Sequence, residues 1–163
     1  MPRISPDQPL LPSVLDRLLD DDPDVSRDPP RSRHQVLREL KQSVRRDLED
    51  LLNSRRRCHP VPPELAELEQ SLAAYGLPDV AGAQFGSAEG RERFRSLLES
   101  VIARWEQRFT TVRVTLLEGA GETDRAVRFR IDALLHADPA PEPVVFDSAM
   151  EPTTGGVEVR GVG

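Results

Sequence analysis

The sequence predicts an α+β fold in which N-terminal helices pack on a small, mainly antiparallel sheet formed by the C-terminal third of the chain. Through the first two thirds of the 163 residues, apolar residues recur every three to four positions, which is the period of amphipathic helices. After Trp105 they alternate with polar residues, which is the period of strands with one covered face. Helices followed by strands in a chain of this length indicate one domain with tails.

The first 31 residues are predicted to form an acidic, proline-rich arm. Residues 1–30 carry seven aspartates against three arginines. The leucines between Leu10 and Leu19 predict a short amphipathic helix that begins near Pro12 or Ser13. We expect this arm to end where the domain, residues 32–148, begins.

The strongest helix signal follows Ser32. Ser32 and Gln35 have the spacing of a capping box, and Asn53 is a candidate left-handed stop. One apolar stripe runs between them, formed by Val36, Leu37, Leu40, Val44, Leu48, Leu51 and Leu52. Arg55, Arg56 and Arg57 follow where the helix dipole favours positive charge, so a solvated helix end is a simpler interpretation than an interaction patch.

Two further helices are predicted before the strands. Leu65, Leu68 and Leu72 suggest a short helix that ends at Tyr75-Gly76, where glycine permits the turn. Ser87 can cap the next helix. The buried positions of that helix would be Phe94, Leu97, Leu98, Val101, Ile102 and Trp105.

Four strands complete the prediction. Val112–Leu116 and Val127–Ala133 alternate in polarity, and the glycine-containing segment Glu118–Asp124 would join them as a hairpin. Pro139–Pro143 reads as a rigid connector before a short third strand, Val144–Phe146. Val157–Arg160 is a possible fourth strand, within a C-terminal tail or edge strand over residues 149–163.

Composition limits the partners and the compartment. A net charge of −6 and a pI near 5.1 oppose nucleic-acid binding, because contact with phosphates needs an excess of Lys and Arg. Residues 31–60 are basic, with nine cations against four acids, which indicates complementarity with the acidic neighbouring segments. A single cysteine, Cys58, cannot form an internal disulfide, and no window approaches the roughly 20 apolar residues of a membrane span. We therefore expect a cytoplasmic protein without membrane insertion.

Few residue patterns suggest catalysis or a cofactor. Cys58-His59, His34 and His136 lack the paired spacing of a zinc site, and no phosphate-binding glycine loop or nucleophile elbow occurs. Glu106 beside Trp105 could serve as the acid of a glycoside hydrolase. Pairing of Glu106 with Arg108, or capping of a backbone amide, explains the same pattern more simply. The sequence therefore predicts no catalytic residue, cofactor or metal.

Three segments in order, Leu10–Leu18, Val44–Arg56 and Ser71–Asp79, carry a resemblance to a known family. With Arg128–Ile131 and Pro143–Phe146, the match runs from about Leu10 to Ser148. The chain resembles the TssE family of type VI secretion baseplate subunits, which is related to phage-tail baseplate wedge proteins once labelled lysozyme-like.

The resemblance implies a non-enzymatic assembly role. It implies other wedge subunits and contractile sheath subunits as partners, location at the cytoplasmic face of the inner membrane, and help in starting sheath polymerisation. A sheet edge that accepts a partner's strand would suit that role. The interface or structural residues that the resemblance implies are Glu106, Arg108, Arg55, Arg56, Tyr75 and Gly76. Where the family carries Glu-Pro-Arg, this chain has Glu106-Gln107-Arg108, which keeps the charges and loses the proline.

Three alternatives remain open at this stage. The first is a wedge protein of a phage tail or of an extracellular contractile injection particle. The second is a muramidase that uses Glu106. The third is an adaptor that holds a single soluble partner.

Overall fold

In the computed structural model, helices occupy the N-terminal half and a four-stranded antiparallel sheet the C-terminal part, so the predicted α+β class is confirmed. The structure describes Leu15, Leu18, Asp24 and residues 32–56, 62–80, 85–117, 126–137 and 140–162. The helices are α1 (Arg33–Asn53), two 3₁₀ segments (Pro63–Gln70 and Leu72–Ala74) and α2 (Ala88–Trp105). The strands are β1 (Phe109–Leu116), β2 (Val127–Leu135), β3 (Glu142–Met150) and β4 (Val157–Val162), which lie in that order across the sheet.

Helix α1 begins as the sequence predicts. The Ser32 hydroxyl accepts a hydrogen bond from the Gln35 backbone, and the Gln35 side chain accepts one from the Ser32 N–H at 2.8 Å. The apolar stripe is buried at Leu40, Val44, Leu48, Leu51 and Leu52. The predicted left-handed stop at Asn53 is wrong: the helix ends into an extended Ser54, and every non-glycine residue that the structure describes has negative φ.

The segment after α1 differs from its prediction. Leu65, Leu68 and Leu72 lie in 3₁₀ turns rather than in an α-helix, and their side chains are exposed, with Leu72 at 80%. Prolines at positions 62 and 63 start the segment, and its backbone kinks at Leu65, so these leucines never form a continuous stripe. The structure describes only Leu15 and Leu18 of the predicted N-terminal helix, and both are helical and exposed.

Helix α2 and the sheet enclose the core together with α1. Ser87 caps α2 by accepting a hydrogen bond from the Gly90 N–H at 3.0 Å, as predicted. Apolar residues of α1 and α2 pack with Phe129, Ile131, Phe146 and their strand neighbours on one sheet face. The opposite face carries polar residues of β1 and β2, such as Arg113 and Asp132, and mainly apolar residues of β3, such as Val145 and Ala149.

Strand β3 is longer than predicted at both ends: it includes Pro143, which the sequence predicts as part of a connector, and it continues from Phe146 to Met150. Pro143 pairs with Leu134 of β2, whereas the β3–β4 ladder begins only at Val145. Pro143 therefore lies beyond the end of β4, where β3 has no neighbouring strand on that side. A strand tolerates proline there because no ladder hydrogen bond needs its backbone N–H. The predicted hairpin segment Glu118–Asp124 lies outside the described residues, and the predicted domain limits stay predictions.

Candidate functional site

The end of α2 places Glu106 and Arg108 in a tight local loop. Glu106 is only 7% exposed, and its backbone N–H still donates to the Ile102 carbonyl at 2.8 Å. Its carboxylate accepts the Arg108 backbone N–H at 3.0 Å. The guanidinium contacts both carboxylate oxygens, with Nε–Oε1 at 2.7 Å and Nη2–Oε2 at 2.5 Å. The helix thus ends at Trp105 without a proline, because the carboxylate holds the turn around the exposed Gln107.

Arg108 also connects α2 to α1. Its Nη2 donates to Asp47 Oδ2 at 2.6 Å, and its Nη1 donates to Ser43 Oγ at 3.3 Å. Burial alone would lower the pKa of Arg108, but hydrogen bonds and charges from Glu106 and Asp47 raise it above its ordinary value. We call Asp47, Glu106 and Arg108 the charged clamp.

A cavity of about 310 Å³ opens beside the charged clamp. Its lining combines the three clamp residues with Leu51, Tyr75, Trp105 and Gln107. The rings of Tyr75 and Trp105 meet edge to face, with centroids 5.3 Å apart. Burial raises the pKa of Tyr75, and the charges of Asp50, Asp47 and Glu106 raise it further. The site is a small pocket with aromatic and acidic walls.

A second cluster fixes the C-terminal end of α1 to the segment that follows Tyr75. The Leu77 N–H donates to the Ser54 carbonyl at 2.8 Å, and the Arg56 N–H donates to the Leu77 carbonyl at 3.0 Å. Gly76 makes this approach possible because its φ is +101° and an added Cβ would lie 2.5 Å from the Ser54 carbonyl oxygen.

The same end of α1 is tied to the turn between β3 and β4. Asn53 Nδ2 donates to the Val157 carbonyl at 2.7 Å, and Asn53 Oδ1 accepts the Val157 N–H at 2.9 Å. The Arg55 guanidinium donates to the carbonyls of Leu52 and Gly155. We call Asn53, Arg55 and Gly76 the backbone clamp, since each contacts main-chain atoms.

The six residues singled out from the sequence therefore fall into two adjacent groups. Three of them line the pocket, namely Tyr75, Glu106 and Arg108. The other three lie at or beside the backbone clamp, namely Arg55, Arg56 and Gly76. Sequence reasoning missed Ser43 and Asp47 as partners of Arg108, although their spacing of four places both on one side of α1.

The described residues offer no group of three His, Cys, Asp or Glu side chains that could hold a metal ion. Cys58 and His59 lie outside the described residues. At the pocket, both Glu106 oxygens are engaged by Arg108, whereas a general acid needs an oxygen that reaches the substrate. The geometry suits binding of a partner group more than proton transfer.

A protein-family model matches more than half of the chain. The model of the family described as "Baseplate wedge protein gp25" matches residues 38–140. This range contains every residue of the two clamps, and only the backbone clamp's partners Gly155 and Val157 lie beyond it. Comparison with curated proteins and with solved structures gave no significant match. Within the described ranges, no helix is both long and apolar enough to cross a membrane.

Proposed function

The chain belongs to the baseplate wedge protein gp25 family, and from that premise we propose that it is the wedge subunit of a type VI secretion apparatus. Since the family consists of structural wedge components, the chain is a component of a phage-tail-like baseplate that contacts other baseplate proteins. The finer proposal is a TssE-type role, in which the subunit links the baseplate to the contractile sheath and helps the first sheath ring form. Assembly would place it at the cytoplasmic face of the inner membrane.

The match over residues 38–140 carries this proposal, and the two clamps support it. They fix α1, α2 and the β3–β4 turn relative to one another, as a scaffold subunit requires. Within this proposal Glu106, Arg108 and Tyr75 present the pocket to a neighbouring baseplate subunit. Arg55, Arg56 and Gly76 hold the adjacent surface in shape.

Affinity purification of the tagged full chain from its native cell tests the proposal. Identification of the recovered proteins is expected to give wedge and sheath subunits together. Recovery of one soluble partner in a fixed ratio would instead assign an adaptor. Recovery mainly in particles released to the medium would assign a phage tail or an extracellular injection particle.

The muramidase alternative predicts turnover that depends on Glu106. The buried pairing with Arg108 argues against it, because no carboxylate oxygen is placed to protonate a leaving group. We expect the protein to leave the turbidity of a peptidoglycan suspension unchanged. Clearing by the natural chain that is lost in Glu106→Gln would overturn a purely structural role.

A further inference from the structure

A groove lies between the N-terminal half of α1 and the sheet, and it encloses about 350 Å³. Val144 and Phe146 of β3 belong to the buried core and form part of its apolar floor. Its rim carries Arg38, Lys41 and Arg45 of α1. We call this cavity the α1–β3 groove. An apolar group that entered it would contact the core directly.

A missing side chain in β4 keeps the α1–β3 groove open. Val157 and Val159 are buried against α1, and Gly161 is the next β4 position on the same side because strand residues two apart share a face. Gly161 pairs with Phe146, and an added Cβ at Gly161 would meet nothing within 4 Å. The groove therefore has room for an aliphatic side chain from another segment.

The rim of the groove has an excess of positive charge. Arg38, Lys41 and Arg45 follow one another at spacings of three and four, which places them on one side of α1. Lys41 Nζ lies 3.4 Å from Glu142, and Arg45 Nη1 lies 2.7 Å from Glu49. Arg38 is exposed, and its guanidinium forms no ion pair with any residue that the structure describes. The rim therefore favours an acidic occupant.

The acidic arm of the same chain has the complementary chemistry. Residues 1–30 carry seven aspartates against three arginines. Leu15 and Leu18 are helical, with 55% and 75% of their surfaces exposed, so the core does not cover them. Asp16 and Asp20 accompany these leucines at a spacing of four, which is the spacing of neighbours on a helix. A helix of this sequence beside α1 would bring leucines to the floor and aspartates to the rim.

The connection between the arm and α1 is long enough for this contact. Eight positions separate Asp24 from Ser32 in the sequence, and eight extended residues span at most roughly 27 Å. From Ser32 to Arg45, α1 is about 20 Å long at its helical rise. The arm can therefore turn back along α1 and reach all three cations. A tether this short gives an effective concentration on the order of millimolar, so even a weak contact is populated.

We propose that residues 10–24 of the arm dock as a helix in the α1–β3 groove of their own chain, with leucines on the apolar floor and aspartates against the cationic rim. Because Leu15 and Leu18 are exposed in the structure, the structure shows the undocked arrangement, and docking is a second arrangement of the same chain. Docking covers the leucines and the groove together. The proposal goes beyond the baseplate function and does not rest on it.

Trypsin cleavage after Arg17 in the full chain tests the proposal, because the cleavage rate follows the population in which the arm is undocked. Gly161→Leu fills the groove with a side chain of β4 and should speed this cleavage about tenfold, since the arm loses the burial of one leucine. Gly86→Leu is the matched control and should leave the rate unchanged. An added Cβ at Gly86 also meets nothing within 4 Å, and Gly86 does not line the groove.

Arg38→Glu tests the charges of the rim. Repulsion replaces attraction at an exposed position, so cleavage after Arg17 should become about fivefold faster. Arg91→Glu makes the same change at an exposed position of α2 and should leave the rate as it is in the natural chain.

NMR of the isotope-labelled full chain locates the docked arm. Cross-peaks are expected between the methyl groups of Leu15 or Leu18 and those of Val144 on the floor of the groove. They should disappear in Gly161→Leu and persist in Gly86→Leu. Melting followed by circular dichroism establishes that each variant is folded.

Several results would overturn the proposal. These are equal cleavage rates in the natural chain, Gly161→Leu and Arg38→Glu, or methyl cross-peaks from the arm to the exposed leucines of residues 65–72 instead of to the groove. Cross-peaks and protection that grow with protein concentration would overturn the intramolecular contact and assign the groove to the arm of a second copy. If wedge and sheath subunits co-purify while these measurements fail, the baseplate function stands and only this assignment falls.

Discussion

The charged clamp and the backbone clamp hold the same helix by different chemistry. The charged clamp joins the middle of α1 to the end of α2 through two carboxylates and one guanidinium beside a cavity of about 310 Å³. The backbone clamp joins the end of α1 to main-chain atoms of two other segments. It uses the amide of Asn53, the guanidinium of Arg55 and the close approach that Gly76 permits.

This difference suggests that the backbone clamp keeps the fold rigid, whereas the charged clamp can also recognise a partner. Contacts to main-chain carbonyls and amides depend little on which residues the other segment carries, so the backbone clamp fixes shape. Charged side chains around an open pocket can exchange partners, so the charged clamp can both hold the helices and offer a surface. Variants of each clamp should therefore differ in cost and in dependence on pH.

The largest loss of stability is expected for Arg108→Ala. Removal of the guanidinium leaves the buried Glu106 carboxylate with only the backbone N–H of residue 108, whereas the partly exposed Asp47 keeps its pair with Arg46. Breaking the buried pair costs about 3 kcal/mol. Urea unfolding measures this change. The matched control is Arg93→Ala, whose pair with Glu89 is exposed on α2 and contributes little. Equal losses in the two variants would show that the charged clamp does not stabilise the fold.

Gly76→Ala should follow, with a loss of about 2 kcal/mol from a residue forced to positive φ and from its clash with the Ser54 carbonyl. Gly86→Ala is the control, because an added Cβ at Gly86 would meet nothing within 4 Å. The free energy of unfolding of both variants can be measured in the same urea series. If Gly86→Ala proved as costly as Gly76→Ala, the loss would not come from the backbone clamp.

A smaller effect is expected for Asn53→Ala, at about 1 kcal/mol, because the N–H and carbonyl of Val157 lose their partner. Hydrogen exchange should accelerate at the Val157 amide. Asn53→Asp keeps an acceptor for that amide and should retain most of its protection. Unchanged exchange in Asn53→Ala would mean that another group covers this end of β4.

Much of the local structure could be predicted because its causes are local in sequence. The caps at Ser32 and Ser87 and the alternation in the strands each depend on residues within a few positions. The pairing of Glu106 with Arg108 belongs to the same class, since a single residue separates them.

What could not be predicted depends on contacts between distant segments. Asp47 contacts Arg108 across 61 positions of the sequence, and Asn53 contacts Val157 across 104. The spacing of apolar residues along the chain gives no sign of either contact. The second contact also explains the wrong prediction for Asn53, whose side chain binds β4 while its backbone stays right-handed. The sequence predicts a connector at Pro143 because it does not show where β4 ends.

The smallest expected effect is a dependence on alkaline pH that arises at Tyr75, in the pocket beside the charged clamp. Burial and the nearby carboxylates raise the pKa of Tyr75 in the folded chain above the ordinary tyrosine value of about 10. The folded state therefore holds this proton more tightly than the unfolded state. The resulting stability is complete below pH 10 and is lost as the pH rises through the folded pKa.

Tyr75→Phe should remove this dependence, so its free energy of unfolding should fall less than that of the natural chain above about pH 10. Because Tyr75 is the only tyrosine, tyrosinate absorbance reports its titration directly. Asn53→Ala provides the contrast, since it should keep the full alkaline slope of the natural chain. If the free energy of unfolding of Tyr75→Phe fell with pH as steeply as that of the natural chain, the pocket would exert no measurable electrostatic effect on Tyr75. The two clamps would then differ only in how their residues pack.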